Sequence, residues 1–242
     1  MERASAMALM DRVSAVTAKI EGWLSDAQGR ALLAAAAATT GRGAIVEIGS
    51  WKGRSTVWLA EGARLAGQRV HAIDRHTQSR EDPSANTLAE FLANIGKAGV
   101  ADAIDPLVMS SAEAADIVRG PVELLFIDGD HSFDGAKHDA EIWLPRVIDG
   151  GVVMFHDVAT AGYDGPRRVF RQMVCWNQRF AGIRRVGSMT IARRTARRST
   201  ADAAWGTLAG LLLYIFDAKQ LSRQLRKGRR EKRNHDLVMP HQ

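Results

Sequence analysis

The sequence predicts an α/β protein with a doubly wound, mostly parallel seven-stranded sheet, a terminal antiparallel hairpin, and helices added at both ends. Three observations predict it. Apolar runs of strand length alternate with amphipathic stretches of helix length between residues 44 and 176. Two of those runs, Leu124 to Ile127 and Gly150 to Phe155, end abruptly on Asp128-Gly129-Asp130-His131 and on His156-Asp157. Further on, Ala181 to Val186 and Met189 to Ala192 are parted only by Gly187-Ser188, a two-residue hairpin signal.

Taken in order, residues 4 to 24 place Met7, Met10, Val13, Val16, Ile20 and Trp23 or Leu24 at helical steps, which predicts a packing or lid helix. Ser25 is placed to cap a second helix through the Ala-rich run to Ala38. Ala44 to Gly49 reads as the first buried strand, followed by the turn Ser50-Trp51-Lys52-Gly53 and a helix to Leu65. Gln68 to Ile73 is the second strand and ends on Asp74. A polar loop through Pro83 leads to a helix bearing Leu88, Phe91, Leu92 and Ile95. The third strand, Ile104 to Met109, runs into Ser110-Ser111-Ala112-Glu113, a capping-box pattern. Asp134 to Val147 is expected to be the crossover helix between the fourth and fifth strands, and Arg167 to Trp176 another helix before the hairpin. The predicted divisions are a helical segment over 1–42, the main domain over 43–193 and a basic tail over 194–242.

The chain of 242 residues, 46% hydrophobic and 25% charged, suits one folded α/β domain and excludes a largely disordered one. Its single cysteine, Cys175, forms no intramolecular disulfide and offers no zinc cluster; core packing in a reducing, cytoplasmic compartment is expected. Residues 1 to 10 lack the apolar core of a signal peptide. The formal charge of +6 is unevenly spread: residues 193 to 242 hold 12 Lys or Arg against 4 Asp or Glu, which leaves the remainder slightly acidic. That imbalance points to an accessory contact of the tail, not to a polyanionic substrate in the main cleft.

In an open parallel sheet ligands bind beyond the carboxyl ends of the strands, so the fourth and fifth strands aim Asp128, His131, His156 and Asp157 into one crevice. Gly49 and Gly53 let the backbone approach a ligand at a helix N-terminus, and Asp74 is placed to accept from ribose hydroxyls. The spacing G-x-x-x-G differs from the dinucleotide G-x-G-x-x-G, since Trp51 stands where that turn needs glycine.

Through Glu47 to Gly53, Asp74 and the terminal hairpin, the sequence resembles the class I S-adenosylmethionine-dependent methyltransferases, which have a Rossmann-like fold. Through Phe126 to Phe133 and Gly150 to Val158 it is similar to their metal-dependent bacterial sugar O-methyltransferase branch, the kind acting on macrolide sugars and mannosides. The resemblance implies that Glu47, Gly49, Ser50 and Gly53 line the methionine part of the cofactor, that Asp74 holds its ribose, and that Ser111 borders its adenine. It implies that Asp128 and Asp157 are ligands of a divalent metal such as Mg²⁺ and that His131 is the general base. At 156, where relatives often carry a carboxylate, this chain has His, which is taken as the third ligand although a hard ion prefers oxygen. The acceptor implied is a small sugar or similarly polyhydroxylated molecule.

Each site residue also has a plainer reading: His131 and the two aspartates as helix caps, His156 as a hydrogen-bonded structural residue. Asp130 is unassigned, His71 and His76 are expected to pack, and Tyr163, Arg167 and Arg168 are placed either to contact an acceptor or to sit as surface charge. Ala203 to Phe216 is an apolar run too short to span a bilayer, which takes about 20 residues. With the basic residues from Lys219 to Arg233 it is expected either to lie on a membrane interface or to pack on the domain or on a second copy in a homo-oligomer. Other functions weighed are a nucleic-acid methyltransferase or binding protein, a nicotinamide-dependent oxidoreductase and a scaffold. Against the nucleic-acid function, the position after the fourth strand reads Asp128-Gly129-Asp130-His131 and lacks the Pro-Pro-aromatic turn of base methylation.

Overall fold

A computed structural model describes residues 2–77 and 87–238, with side chains over 5–77 and 87–220. Most of the polar loop before Leu88 and the basic side chains from Arg223 to Arg233 lie outside the described parts. The strands are β1 (Ala44–Ile48), β2 (Val70–Ile73), β3 (Ile104–Leu107), β4 (Val122–Ile127), β5 (Val147–Phe155), β6 (Phe180–Val186) and β7 (Met189–Arg194). They form one seven-stranded sheet in the order β3-β2-β1-β4-β5-β7-β6. β1 to β5 pair in parallel, whereas β7 runs antiparallel to both β5 and β6. The helices are α1 (Glu2–Thr17), α2 (Asp26–Ala37), α3 (Arg54–Leu65), α4 (Leu88–Ala98), α5 (Ser111–Ile117), α6 (Phe133–Trp143), α7 (Gly165–Phe170) and α8 (Thr200–Val238).

The alternation of side chains along each strand sorts the core into two layers. On one face Ile45, Leu124 and Phe126 pack with Leu32, Trp58 and Phe91 from α2, α3 and α4. On the other, Val46, Leu125, Ile127 and Phe155 pack with Trp143 and Phe170 from α6 and α7. α2 supplies Leu32, Leu33 and Ala36 to the first layer, so the N-terminal segment shares the core of the main domain.

Two expected helices are shorter than their patterns. α1 stops at Thr17, not near residue 24. The β-branched Thr17 turns its hydroxyl back onto Val13 O at 2.8 Å, and the next amides, of Lys19 and Ile20, bond three residues back as the helix unwinds. Ile20 and Leu24 are buried all the same. α6 ends at Trp143 because Pro145 cannot continue an α-helix; a single 3₁₀ turn, Leu144–Arg146, follows and Val147 already opens β5. The capping boxes at Ser25 and Ser110 are both formed, with Gln28 and Glu113 as their reciprocal partners.

Candidate active site

Pairing aligns the strand ends: Ile48 stands opposite Ile73 and Ile127, and Ile127 opposite Phe155. The backbone ladder continues one residue further, with Gly49 N–H donating to Ile73 O, Asp128 N–H to Ile48 O and His156 N–H to Ile127 O. Gly49, Asp128 and His156 therefore leave the sheet side by side, at the point where the strand order reverses between β1 and β4. A crevice of about 950 Å³ opens there and is lined by Gly49, Ser50, Trp51, Asp74, Ser111, Asp128, His131, His156, Asp157 and Tyr163.

On the β1 side the crevice is shaped by backbone. Gly49 has φ +87°, and a Cβ there would collide with the carbonyl of Asp128. Asp74 accepts from the amide of Trp51 at 2.7 Å and from the amide of His76 at 2.7 Å, which ties the glycine turn to the end of β2. Ser111 lines the wall and donates its hydroxyl to Asp139, whose carboxyl is raised by burial. Glu47, expected beside the cofactor, is fully buried behind this wall. Its carboxylate accepts from Ser55 Oγ and Thr56 Oγ1, each at 2.6 Å, and burial pushes its pKa up to about 8. Gly53 likewise stands behind the lining, in the left-handed conformation that starts α3. Both hold the turn from within.

On the β4–β5 side the crevice is shaped by ionisable side chains. His131 Nε2 lies 2.9 Å from Asp157 Oδ2 and 3.7 Å from Asp128 Oδ1. Burial lowers the His131 pKa, but the two carboxylates outweigh it and hold the ring up at about 9. Burial would raise Asp157, yet contact with His131 and His156 keeps it well below the usual carboxylate range. Thr160 Oγ1 donates to Asp157 Oδ1 at 2.5 Å, and Tyr163 stacks on the His131 ring with centroids 4.3 Å apart. The structure thus gathers Asp128, His131, His156, Asp157 and Tyr163. His71 faces Asp105 at 3.6 Å, and His76 is buried against Thr87 and Phe91. Among the described non-glycine residues only Trp51, His76 and Asp157 have positive φ, at 42°, 54° and 53°, and all three line the crevice.

The donor set suits a divalent cation. Asp128, His131 and Asp157 offer atoms that all lie within 4.8 Å of one another. His156 Nδ1 is buried without a hydrogen-bond partner, 3.1 Å from Asp157 Oδ2 and 3.3 Å from Asp128 Oδ1. Metal–ligand bonds of about 2.1 Å give ligand-to-ligand edges of about 3.0 to 3.4 Å, a range that holds both His156 distances, while those of His131, 2.9 and 3.7 Å, fall on either side of it. The opposite side of the His156 ring adds a condition. Gln28 Oε1 accepts from the Ser25 amide at 2.8 Å, which turns Gln28 Nε2 toward His156 Nε2 at 3.2 Å and Ser188 Oγ at 2.8 Å. An N–H facing Nε2 makes that nitrogen the acceptor and leaves the ring proton on Nδ1. The same contact opposes a doubly protonated ring, although Asp128 and Asp157 outweigh burial and push the His156 pKa up to about 10. Ligation through Nδ1 requires the proton to move to Nε2 and the Gln28 amide to turn over.

Four residues at the site were not legible as site residues in the sequence: Trp23, Thr160 and Ser188 line the crevice, and Gln28 touches His156 from behind. Gln28 shows there only as a helix-start signal, and Ser188 only as a turn residue. Trp23, stacked on Trp51 at 5.0 Å, shows there only as a position of the N-terminal apolar stripe, and Thr160 carries no signal.

A family profile described as a methyltransferase domain matches residues 46–158. The catechol O-methyltransferase of Mycobacterium tuberculosis is 31% identical over 140 residues, which span 57% of this chain and 58% of that protein. Cofactor-bound Rv0187 from MTB superposes with a TM-score of 0.59 at 24% identity, over 81% of this chain and 91% of the other. The Bacillus cereus O-methyltransferase in complex with SAH gives a TM-score of 0.57 at 22% identity, over 78% and 91%. Residues 46–158 thus resemble a methyltransferase domain in sequence, and the chain has the Rossmann-like methyltransferase fold.

Proposed function

We propose that this protein transfers a methyl group from S-adenosylmethionine to a hydroxyl of a small sugar or similarly polyhydroxylated acceptor. Asp128, His156 and Asp157 would hold a divalent cation, and His131 is the general base. The observation that carries this reading is the meeting of His131 Nε2 with the Asp157 and Asp128 carboxylates in the crevice that also contains the glycine turn. The match to the methyltransferase-domain family and the likeness to SAH-bound and cofactor-bound neighbours support the cofactor.

Gly49, Ser50 and Asp74 are assigned to the methionine and ribose of the cofactor and Ser111 to its adenine, while Glu47 and Gly53 keep the turn in shape. An alcohol proton is held too tightly to leave at neutral pH, so His131 must accept it as the bond to the methyl carbon forms. Asp128 and Asp157 would hold a divalent cation, which would supply Lewis-acid chemistry to the acceptor hydroxyl and offset the carboxylate field that keeps His131 protonated. Tyr163 fixes the plane of the His131 ring by stacking. Positioning does the rest: well-oriented reactants gain roughly 7 kcal/mol or more.

A second acceptor class has specific support. Trp23, Trp51 and Tyr163 line the crevice with aromatic surface, and the 31% identical relative from Mycobacterium tuberculosis is a catechol O-methyltransferase, so an aromatic vicinal diol is the rival substrate. No observation in the crevice favours a nucleic-acid or nicotinamide substrate. Methyl transfer from labelled cofactor to a panel of glycosides and catechols, with and without chelator, tests the proposal. Undiminished transfer in excess chelator and in His131→Ala would sink it, and turnover of catechols alone would move the acceptor to the rival class.

A further inference from the structure

We propose that α8 docks the protein on an anionic lipid surface through an outward apolar stripe, Leu208, Leu211, Leu212 and Ile215, continued by a cationic segment. The inference does not rest on the proposed reaction.

The two sides of α8 differ. Its inner side is committed to the domain: Asp217 pairs with Arg167 and with Arg171, the latter at 2.8 Å. Gly206 and Gly210 lie so close that added Cβ atoms would stand 2.6 Å from Cys175 O and 2.5 Å from Trp176 Nε1. Gly206, Gly210 and Asp217 are spaced by four and seven residues and share one face. Leu208, Leu211, Leu212 and Ile215 follow the i, i+3, i+4, i+7 pattern of the opposite face, and are 47%, 50%, 53% and 47% exposed. An apolar stripe on the side of a helix turned away from its own domain calls for a partner.

Charge identifies the partner. Residues 219 to 233, which continue α8, contain eight Lys or Arg and one Glu. A second copy of α8 offers no complementary acidic run: its four acids, Asp202, Asp217, Glu231 and Asp236, stand apart in sequence, Asp202 takes the Ser199 hydroxyl at the helix start, and Asp217 is held by the two arginines. Anionic headgroups over an apolar interior match both parts of the helix. Among the described residues no helix is long and apolar enough to cross a membrane, which suits docking in the interface plane.

The helix is also joined to the crevice. Arg167, held by Asp217, donates to Val158 O at 3.3 Å and Thr160 O at 3.0 Å, in the segment that follows Asp157. A docked α8 would stand directly behind the acceptor wall.

Sedimentation of the full chain with vesicles of phosphatidylcholine, with or without phosphatidylglycerol, tests the proposal. Binding is expected only to the phosphatidylglycerol vesicles and is expected to weaken as salt rises. The double variant Leu208→Glu/Leu212→Glu should bind at least about tenfold more weakly at unchanged melting temperature, because both side chains are exposed. Removal of residues 219–242 should abolish the preference for anionic lipid. Absent binding, equal binding to both vesicles, or a dimer in light scattering that the double variant converts to monomer would overturn it.

Discussion

The two halves of the crevice are built by different means. On the β1–β2 side the crevice wall is backbone: the Gly49 turn, the amides tied to Asp74 and the left-handed Trp51. On the β4–β5 side it is side chain, two carboxylates and two imidazoles, of which Asp128 and His156 leave strand ends that the sheet ladder fixes and His131 stands in the loop after β4. A backbone surface resists substitution wherever a Cβ fits, and fails at the single glycine where it does not. A side-chain surface loses its chemistry at each substituted position while the fold stands. The two halves should therefore separate in mutational tests.

The largest expected effect is at His131, the proposed base. His131→Ala should lower kcat by about 10²- to 10⁴-fold with S-adenosylhomocysteine affinity unchanged by calorimetry. Asp157→Asn should weaken Mn²⁺ binding, read by paramagnetic resonance, by more than the ~10–100-fold typical of groups behind a ligand. Cofactor affinity should again hold. Gly49→Ala should do the reverse and more: it weakens the homocysteine complex and, because its Cβ meets the Asp128 carbonyl, disturbs metal binding too. If Gly49→Ala leaves metal affinity intact, the halves are more independent than this contact implies.

Smaller effects probe the seam. Gln28→Glu offers His156 Nε2 an acceptor and frees the Nδ1 lone pair, so Co²⁺ binding should tighten by up to about tenfold. Weaker binding would mean that His156 only props the carboxylates. In metal-free protein the His131 ring should titrate near 9, and a divalent cation should move it back toward its ordinary 6.5. With the folded value above the unfolded one, the His131 contribution to stability is fully present below pH 6.5 and is lost as pH rises through about 9. NMR of the ring protons with and without Mg²⁺, alongside urea midpoints across that window, checks both.

The fold was legible because strand-length apolar runs, glycine turns and caps are local signals. Asp128, His131 and Asp157 were legible because polar groups at the end of a buried run have few other reasons to be there. What stayed hidden depends on contacts between distant segments. Gln28 meets His156 only once α2 lies against the hairpin that carries Ser188, and Trp23 meets Trp51 only because α1 stops early at Thr17. The expected extensions of α1 and α6 failed for a related reason: periodicity counts apolar positions and is blind to a hydroxyl turned back on the helix or to the missing amide of Pro145.

Cys175 is fully buried beneath α8, and burial pushes its thiol up to about 12. At neutral pH it offers almost no thiolate to a maleimide or methanethiosulfonate reagent. The wild-type chain is thus a ready background for site-directed labelling: a single cysteine introduced along α8 or at the crevice rim would carry a spin or fluorescent probe alone. Distances between lipid, helix and crevice then become measurable without first removing a native thiol.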